Sequence, residues 1–106
     1  MSPRVELIWT NGATADLQTL YVSCEDRSPG SGDKLSEQVS ASLETVRTFP
    51  RRGSRVADFP LLRRVLVGRH RHYGVYYAAV GARVIVTAVV DLRSDPETIL
   101  RILSRR

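Results

Sequence analysis

Between residues 61 and 96 the chain reads as three strands in succession, at 62–69, 73–80 and 83–91. The rest of the sequence is then bound to cover a sheet. Val65, Leu66 and Val67, then Val75, Tyr76 and Tyr77, then Val84, Ile85, Val86, Val89 and Val90 supply side chains that fit a pleated surface. Gly81-Ala82 is a tight-turn signal, so the second and third strands are expected to form a hairpin. Arginines stand at both ends of this apolar block: Arg63, Arg64, Arg69 and Arg71 early, Arg93 at the exit. Each guanidinium fork donates paired hydrogen bonds to a planar acceptor, so the sheet ends suit phosphate or carboxylate. That names a partner class, not a function.

With 106 residues the chain reads as one domain, 1–106, long enough for a core of its own. A net charge of +5 with 42% hydrophobic residues describes a folded domain with a basic surface. The positive charge is almost entirely arginine, Lys34 being the sole lysine. Such a surface suits an acidic protein or a nucleic acid equally well. Cys24 is the one cysteine, so an intrachain disulfide is impossible and a reducing compartment is expected. No apolar run approaches the ~20 residues of a membrane span, and the start, Met1-Ser2-Pro3-Arg4, soon turns polar at Thr10-Asn11-Gly12, so no signal peptide is expected. A cytoplasmic protein is the expectation. No metal-ligand spacing, phosphate-cradling glycine loop or nucleophile triad occurs, so no cofactor and no metal are expected.

Upstream of the sheet, residues 5–9 form a short strand with apolar side chains at 5, 7 and 9, broken by Thr10-Asn11-Gly12. From Ala13 the period becomes helical. Leu17, Leu20, Tyr21 and Cys24 share one face, with Asp16, Gln18 and Thr19 opposite. Ser28-Pro29-Gly30-Ser31-Gly32 stops this helix. Asp33 is the expected N-cap of a second one, whose stripe runs Leu35, Val39, Leu43, Val46 and on to Phe49 before Pro50. Two amphipathic helices on a short loop read as an antiparallel hairpin. Arg51–Arg55 is expected to be a solvated basic loop, and residues 56–60 a crossing segment. Asp95-Pro96 then opens a short last helix with Ile99, Ile102 and Leu103, expected to carry the fewest core duties and to end in a free basic tip, Arg105-Arg106. The fold class is therefore α+β: an antiparallel sheet, β-α-α-β-β-β in sequence order with a short C-terminal helix, packed against an N-terminal helical hairpin.

This arrangement resembles the RelE/ParE superfamily of small bacterial toxins. The resemblance rests on the hairpin ending in Phe49-Pro50-Arg51-Arg52-Gly53, on Leu62-Arg63-Arg64 and on Val67-Gly68-Arg69. The 73–77 strand with its Val80-Gly81 turn and Asp91-Leu92-Arg93-Ser94-Asp95-Pro96 complete it, and the set leans to the ParE-like branch. It implies the toxin of a type II toxin–antitoxin, plasmid-stabilisation-like system with a cognate antitoxin as partner. It also implies one of two targets: ParE-like members poison DNA gyrase, and RelE-like members cut messenger RNA on the ribosome. RNA cleavage needs a proton acceptor, a proton donor and cations on the developing charge. The residues available for it are Arg63, Arg69, Arg71, His72 and Arg93, with His70 and Tyr73 beside them. The sheet has no lysine and the chain ends in arginine, which favours gyrase. A non-toxic basic interaction domain on the same fold stays open as a third reading. In the family the middle strand commonly reads Tyr-Arg-Ile-x-Tyr; here Gly74 stands in place of the arginine.

For partner binding the candidates are Arg63, Arg64, Arg69, Arg71, Arg93, Arg105 and Arg106. Each has a plainer reading beside it. Arg93 can simply pair with Asp91 or Asp95, Arg63 and Arg64 must point to opposite faces, and the tyrosines suit core and rim.

Overall fold

Strand β1 (Glu6–Trp9) ends at Thr10, whose hydroxyl accepts from the Ala13 amide and so caps α1 (Asn11–Arg27). The computed structural model describes residues 5–106; the start of the chain at residues 1–4, named in the signal-peptide reading, lies outside the described residues. Helix α2 (Ser31–Thr48) follows after three residues. Its cap position is Gly30 in the left-handed region, at φ 90°, and not Asp33. The amides of Gly30, Gly32 and Asp33 are satisfied by the Glu25 carboxylate, reaching across from α1. Asp33 instead accepts from the Tyr21 hydroxyl at 2.7 Å. An acid on the first helix thus starts the second, a relation that sequence spacing hides.

The hairpin covers one face of a five-stranded sheet ordered β1-β5-β4-β3-β2. Strands β2 (Ser54–Val56), β3 (Phe59–Val67), β4 (Tyr73–Val80) and β5 (Arg83–Asp91) form an antiparallel meander. The expected Gly81-Ala82 turn is present, with Val80 opposite Arg83. Two details correct the sequence reading. The sheet is mixed, because β1 lies parallel to β5, Leu7 beside Val84 and Trp9 beside Val86. The 56–60 segment, which Pro60 argues against as a strand, is a hairpin: Val56 faces Phe59, and Asp58 takes the left-handed conformation (φ 67°) that Asp tolerates.

Between hairpin and sheet lies the main core. Leu35, Val39, Leu43 and Val46 of α2 pack with Val65, Val67, Val75, Tyr77, Val84 and Val86, and Leu17 and Leu20 close its margin. Fully burying each aliphatic side chain is worth about 1.5–3 kcal/mol. The stripe of α2 does not extend to Phe49, which is 62% exposed: the helix ends at Thr48, and Phe49, its C-cap, leaves the helical backbone at φ −129°. Tyr77 is the buried pivot beside it: its hydroxyl donates to Pro50 O and accepts from Gly53 N, both at 2.8 Å. A Cβ on Gly53 would stand 2.7 Å from that hydroxyl, so only glycine fits.

On the other face, α3 (Pro96–Ser104) makes a second core from Tyr76, Ala88, Val90 and Leu103, rimmed by Phe59, Leu62, Leu92, Ile99 and Ile102. Asp95 caps α3 as its sequence suggests. Strand β5 serves both cores through a bulge: Tyr76 faces Ala88 and Tyr77 faces Val86, leaving Thr87 over. Beyond Val86 the β5 edge has no strand neighbour among the described residues, and side chains take over. Asp16 accepts from Val89 N, and Arg106 donates to Thr87 O and to both Asp16 oxygens. Neither residue is where the sequence reading sets it. Asp16 is turned inward, and Arg106 is a tether and no free tip.

Candidate functional site

Where the end of α1 meets the turn between β3 and β4, a cavity of about 280 Å³ opens. Arg27, Arg69 and Arg93 bring guanidinium groups to it, His70 and His72 bring imidazoles, and Cys24 and Tyr73 form its inner wall. Its lining contains no carboxylate. Gly68 at φ 98° and Arg71 at φ 56° shape the β3–β4 turn, which supplies Gly68, Arg69, His70 and His72 to the lining. That turn brings the two imidazoles to 5.4 Å between ring centroids.

Tyr73 is the centre of the network. Its hydroxyl lies 3.4 Å from Cys24 Sγ and accepts from Arg93 Nη2 at 3.3 Å, and the Arg93 guanidinium stands 5.6 Å from the Tyr73 ring centroid. Burial, and then the Cys24 contact, hold the Tyr73 phenol above its usual range, so it acts as a neutral hydrogen-bonding group. Arg27 Nη2 reaches Cys24 Sγ at 3.8 Å. Arg93 is also held from below by Asp91, with Nε to Oδ1 at 3.0 Å and Nη2 to Oδ2 at 2.9 Å. These hydrogen bonds lower the Asp91 pKa below the ordinary aspartate value of 3.8. The fork of Arg93 is thus already occupied by a carboxylate, which offsets much of what it could offer a phosphate.

Of the arginines and histidine named from the sequence, Arg69, His72 and Arg93 do converge here. Arg71 sits in the turn, exposed and outside the lining. Arg63 is elsewhere. It pairs with Tyr77 while Val67 pairs with Tyr73, four residues along the ladder and so roughly 13 Å away. There its guanidinium donates to the carbonyls of Arg51 and Gly53. Arg64 points to the α3 face, where it lines a second groove of about 570 Å³ with Tyr76, Leu92 and Leu100. Arg105 and Arg106 lie at the end of α3. Sequence reading missed Arg27, whose place at the last turn of α1 faces the β3–β4 turn only once the hairpin is folded.

Gly74 belongs to an unshifted strand, opposite Leu66 and Val90. A Cβ there would meet Tyr76, Arg64 Cδ and Leu92 at 3.1–3.2 Å. The arginine stem of Arg64, from the neighbouring strand, therefore fills room that a side chain at this position would take.

The family described as "ParE toxin of type II toxin-antitoxin system, parDE" matches residues 7–106. No curated protein matches in sequence. Among solved structures, a chain of the chromosomal ParDE toxin–antitoxin system from P. aeruginosa superposes with a TM-score of 0.73 at 18% identity, covering 86% of this chain and 99% of that one. The E. coli toxin RelE, as a double arginine-to-alanine mutant in the free state, superposes with a TM-score of 0.69 at 18% identity, covering 97% and 98%.

Proposed function

We propose that this chain, which belongs to the ParE toxin family of type II toxin–antitoxin systems, inhibits DNA gyrase by binding it and is neutralised in the cytoplasm by a cognate antitoxin. As a ParE-type toxin it has the fold shared by ParDE and RelE toxins. The observation that carries a binding mode over RNA cleavage is the dispersal of the cleavage set. Arg63 is tied to loop carbonyls at the far end of the sheet, and Arg93 is engaged by Asp91. Cations that stabilise a phosphorane-like transition state must converge on it; Arg63 lies at the far end of the sheet from Arg69, His72 and Arg93, and Asp91 already takes the Nε and Nη2 donors of Arg93. Gyrase inhibition requires only a complementary surface.

The RNA-cleaving reading has one support of its own: Arg69, His72 and Arg93 do border one cavity. The two are separated by assaying the purified chain in parallel for gyrase supercoiling and for translation-dependent mRNA cleavage. Inhibited supercoiling, relieved by the antitoxin and without cuts, is the expected result. Cuts in ribosome-bound message that disappear on replacing His72 or Arg93 would overturn it.

A further inference from the structure

The far end of the sheet from the arginine–histidine cavity carries a different surface. A cleft of about 620 Å³ lies between the end of α2 and the β4–β5 turn, lined by Phe49, Pro50, Arg51, Arg52, Ala79 and Gly81 together with Thr48. Phe49 is 62% exposed over it, and Val80, between two of the lining residues, is 56% exposed. Arg51 and Arg52 are exposed, and neither guanidinium has a carboxylate partner among the described residues. The loop that carries these side chains is held rigid from behind: Pro50 O and Gly53 N are bound by Tyr77, and Arg51 O and Gly53 O by Arg63. A fixed loop that displays an uncovered aromatic beside two free cations loses little entropy on binding. Exposed aromatic and arginine side chains are also the residue types that carry binding energy at interfaces.

We propose that this cleft docks an acidic segment of a partner protein, which lays an apolar side chain against Phe49 and Ala79 and sets carboxylates against Arg51 and Arg52. The charge of the lining selects the occupant. It holds two cations and no acid, so an acidic segment is attracted and a basic or second copy of this +5 chain is repelled. Half of the lining is apolar, which suits a peptide better than a nucleic acid, whose backbone asks for a longer run of cations. The proposal concerns the chemistry of a partner and holds whichever target the toxin has.

The test uses the full chain and three labelled probes: a random glutamate–tyrosine copolymer, poly-glutamate of equal length and a single-stranded DNA of equal charge. Fluorescence anisotropy is read at low and moderate salt. The copolymer is expected to bind most tightly. Arg51→Glu with Arg52→Glu should weaken it by roughly tenfold or more, and Phe49→Ala should abolish its advantage over poly-glutamate. Lys34→Glu with Arg101→Glu, both exposed and outside the cleft lining, should change it by less than about twofold. All these side chains project from the surface, and circular dichroism checks that each variant folds. Should the double charge reversal misfold, the Phe49→Ala comparison decides alone. Equal weakening by the two charge reversals would reduce the effect to net charge and overturn the proposal. So would tighter binding of the DNA, or a copolymer advantage that survives Phe49→Ala.

Discussion

Arg106 and Asp16, 90 residues apart, are joined by two hydrogen bonds of 2.7 and 2.9 Å that close the edge of β5 where β1 has ended. The carboxylate also holds Val89 N, and Arg106 also holds Thr87 O, so each satisfies a backbone group that no strand reaches. Gly12 makes the room, since a Cβ there would lie 2.7 Å from the guanidinium. Asp16→Ala is expected to cost about 1–3 kcal/mol, because it strands a half-buried amide as well as the arginine. Arg106→Ala should cost at most about 1 kcal/mol. Urea unfolding of the two variants checks the difference; equal losses would mean that Asp16 works only through the ion pair.

Helix α3 is part of the fold. Ending the chain at Asp95 would uncover Tyr76, Ala88 and Val90 and remove the Arg106 tether together. The shortened chain is expected to be strongly destabilised and to bind hydrophobic dyes. Leu103→Ala, a milder probe at a side chain only 5% exposed, should cost about 2–5 kcal/mol. A truncated chain that melts like the intact one would remove α3 from the core.

Tyr77→Phe keeps the ring and deletes the hydroxyl that bridges Pro50 and Gly53. The expected loss is about 1–3 kcal/mol, the penalty for two backbone groups left without a partner. Hydrogen exchange at Gly53 N should quicken in the variant more than exchange in β4. Unchanged protection there would show that the loop holds its shape without the tyrosine.

Asp91 has its pKa lowered in the folded chain, chiefly by the Arg93 hydrogen bonds. A lowered carboxylate contributes stability above its unfolded pKa, and that stability is lost as pH falls through the folded value. Asp91→Asn should therefore be less stable than the parent near neutrality, with the gap narrowing as acid titrates the parent below the ordinary aspartate value of 3.8. Thermal melts between neutral pH and pH ~2 measure this. A gap that stays constant across that range would mean that the pair adds nothing to the folded state.

Much of this molecule could be read in order from its residues, and what escaped has a common physical origin. The strands, the Gly81-Ala82 turn, the stripe Leu35, Val39, Leu43 and Val46, and the Asp95 cap are local signals, and they held. Asp33 looked like a cap because it stood in the right place, yet Glu25 does that work from another helix. Asp16 and Arg106 looked solvated because polar residues usually are, and only the fold supplies the orphaned edge that both serve. Residues 56–60 read as a crossing, but they hold the tight turn between β2 and β3, and Pro60 is tolerated near the start of β3 because the pairing with β4 begins only at Arg63. At the candidate site, Arg69, His72 and Arg93 were legible as cations near a turn. That Arg27 would join them, and that Arg63 would not, depends on which end of the sheet the hairpin covers.

The unpaired Thr87 bears on how the sequences of relatives should be laid beside this one. On either side of it β5 alternates regularly, with Val84 and Val86 toward the helical hairpin before the bulge and Val89 toward it after. A relative one residue shorter here would still place Val86, Ala88, Val89 and Val90 on their present faces, because the residue lost is the one that faces no partner. Anywhere else in the strand, a one-residue deletion would turn the following side chains inside out. An alignment gap in β5 therefore belongs at Thr87. A relative that carries one forfeits the carbonyl that Arg106 and Thr10 reach for, and must fasten its last helix by other means.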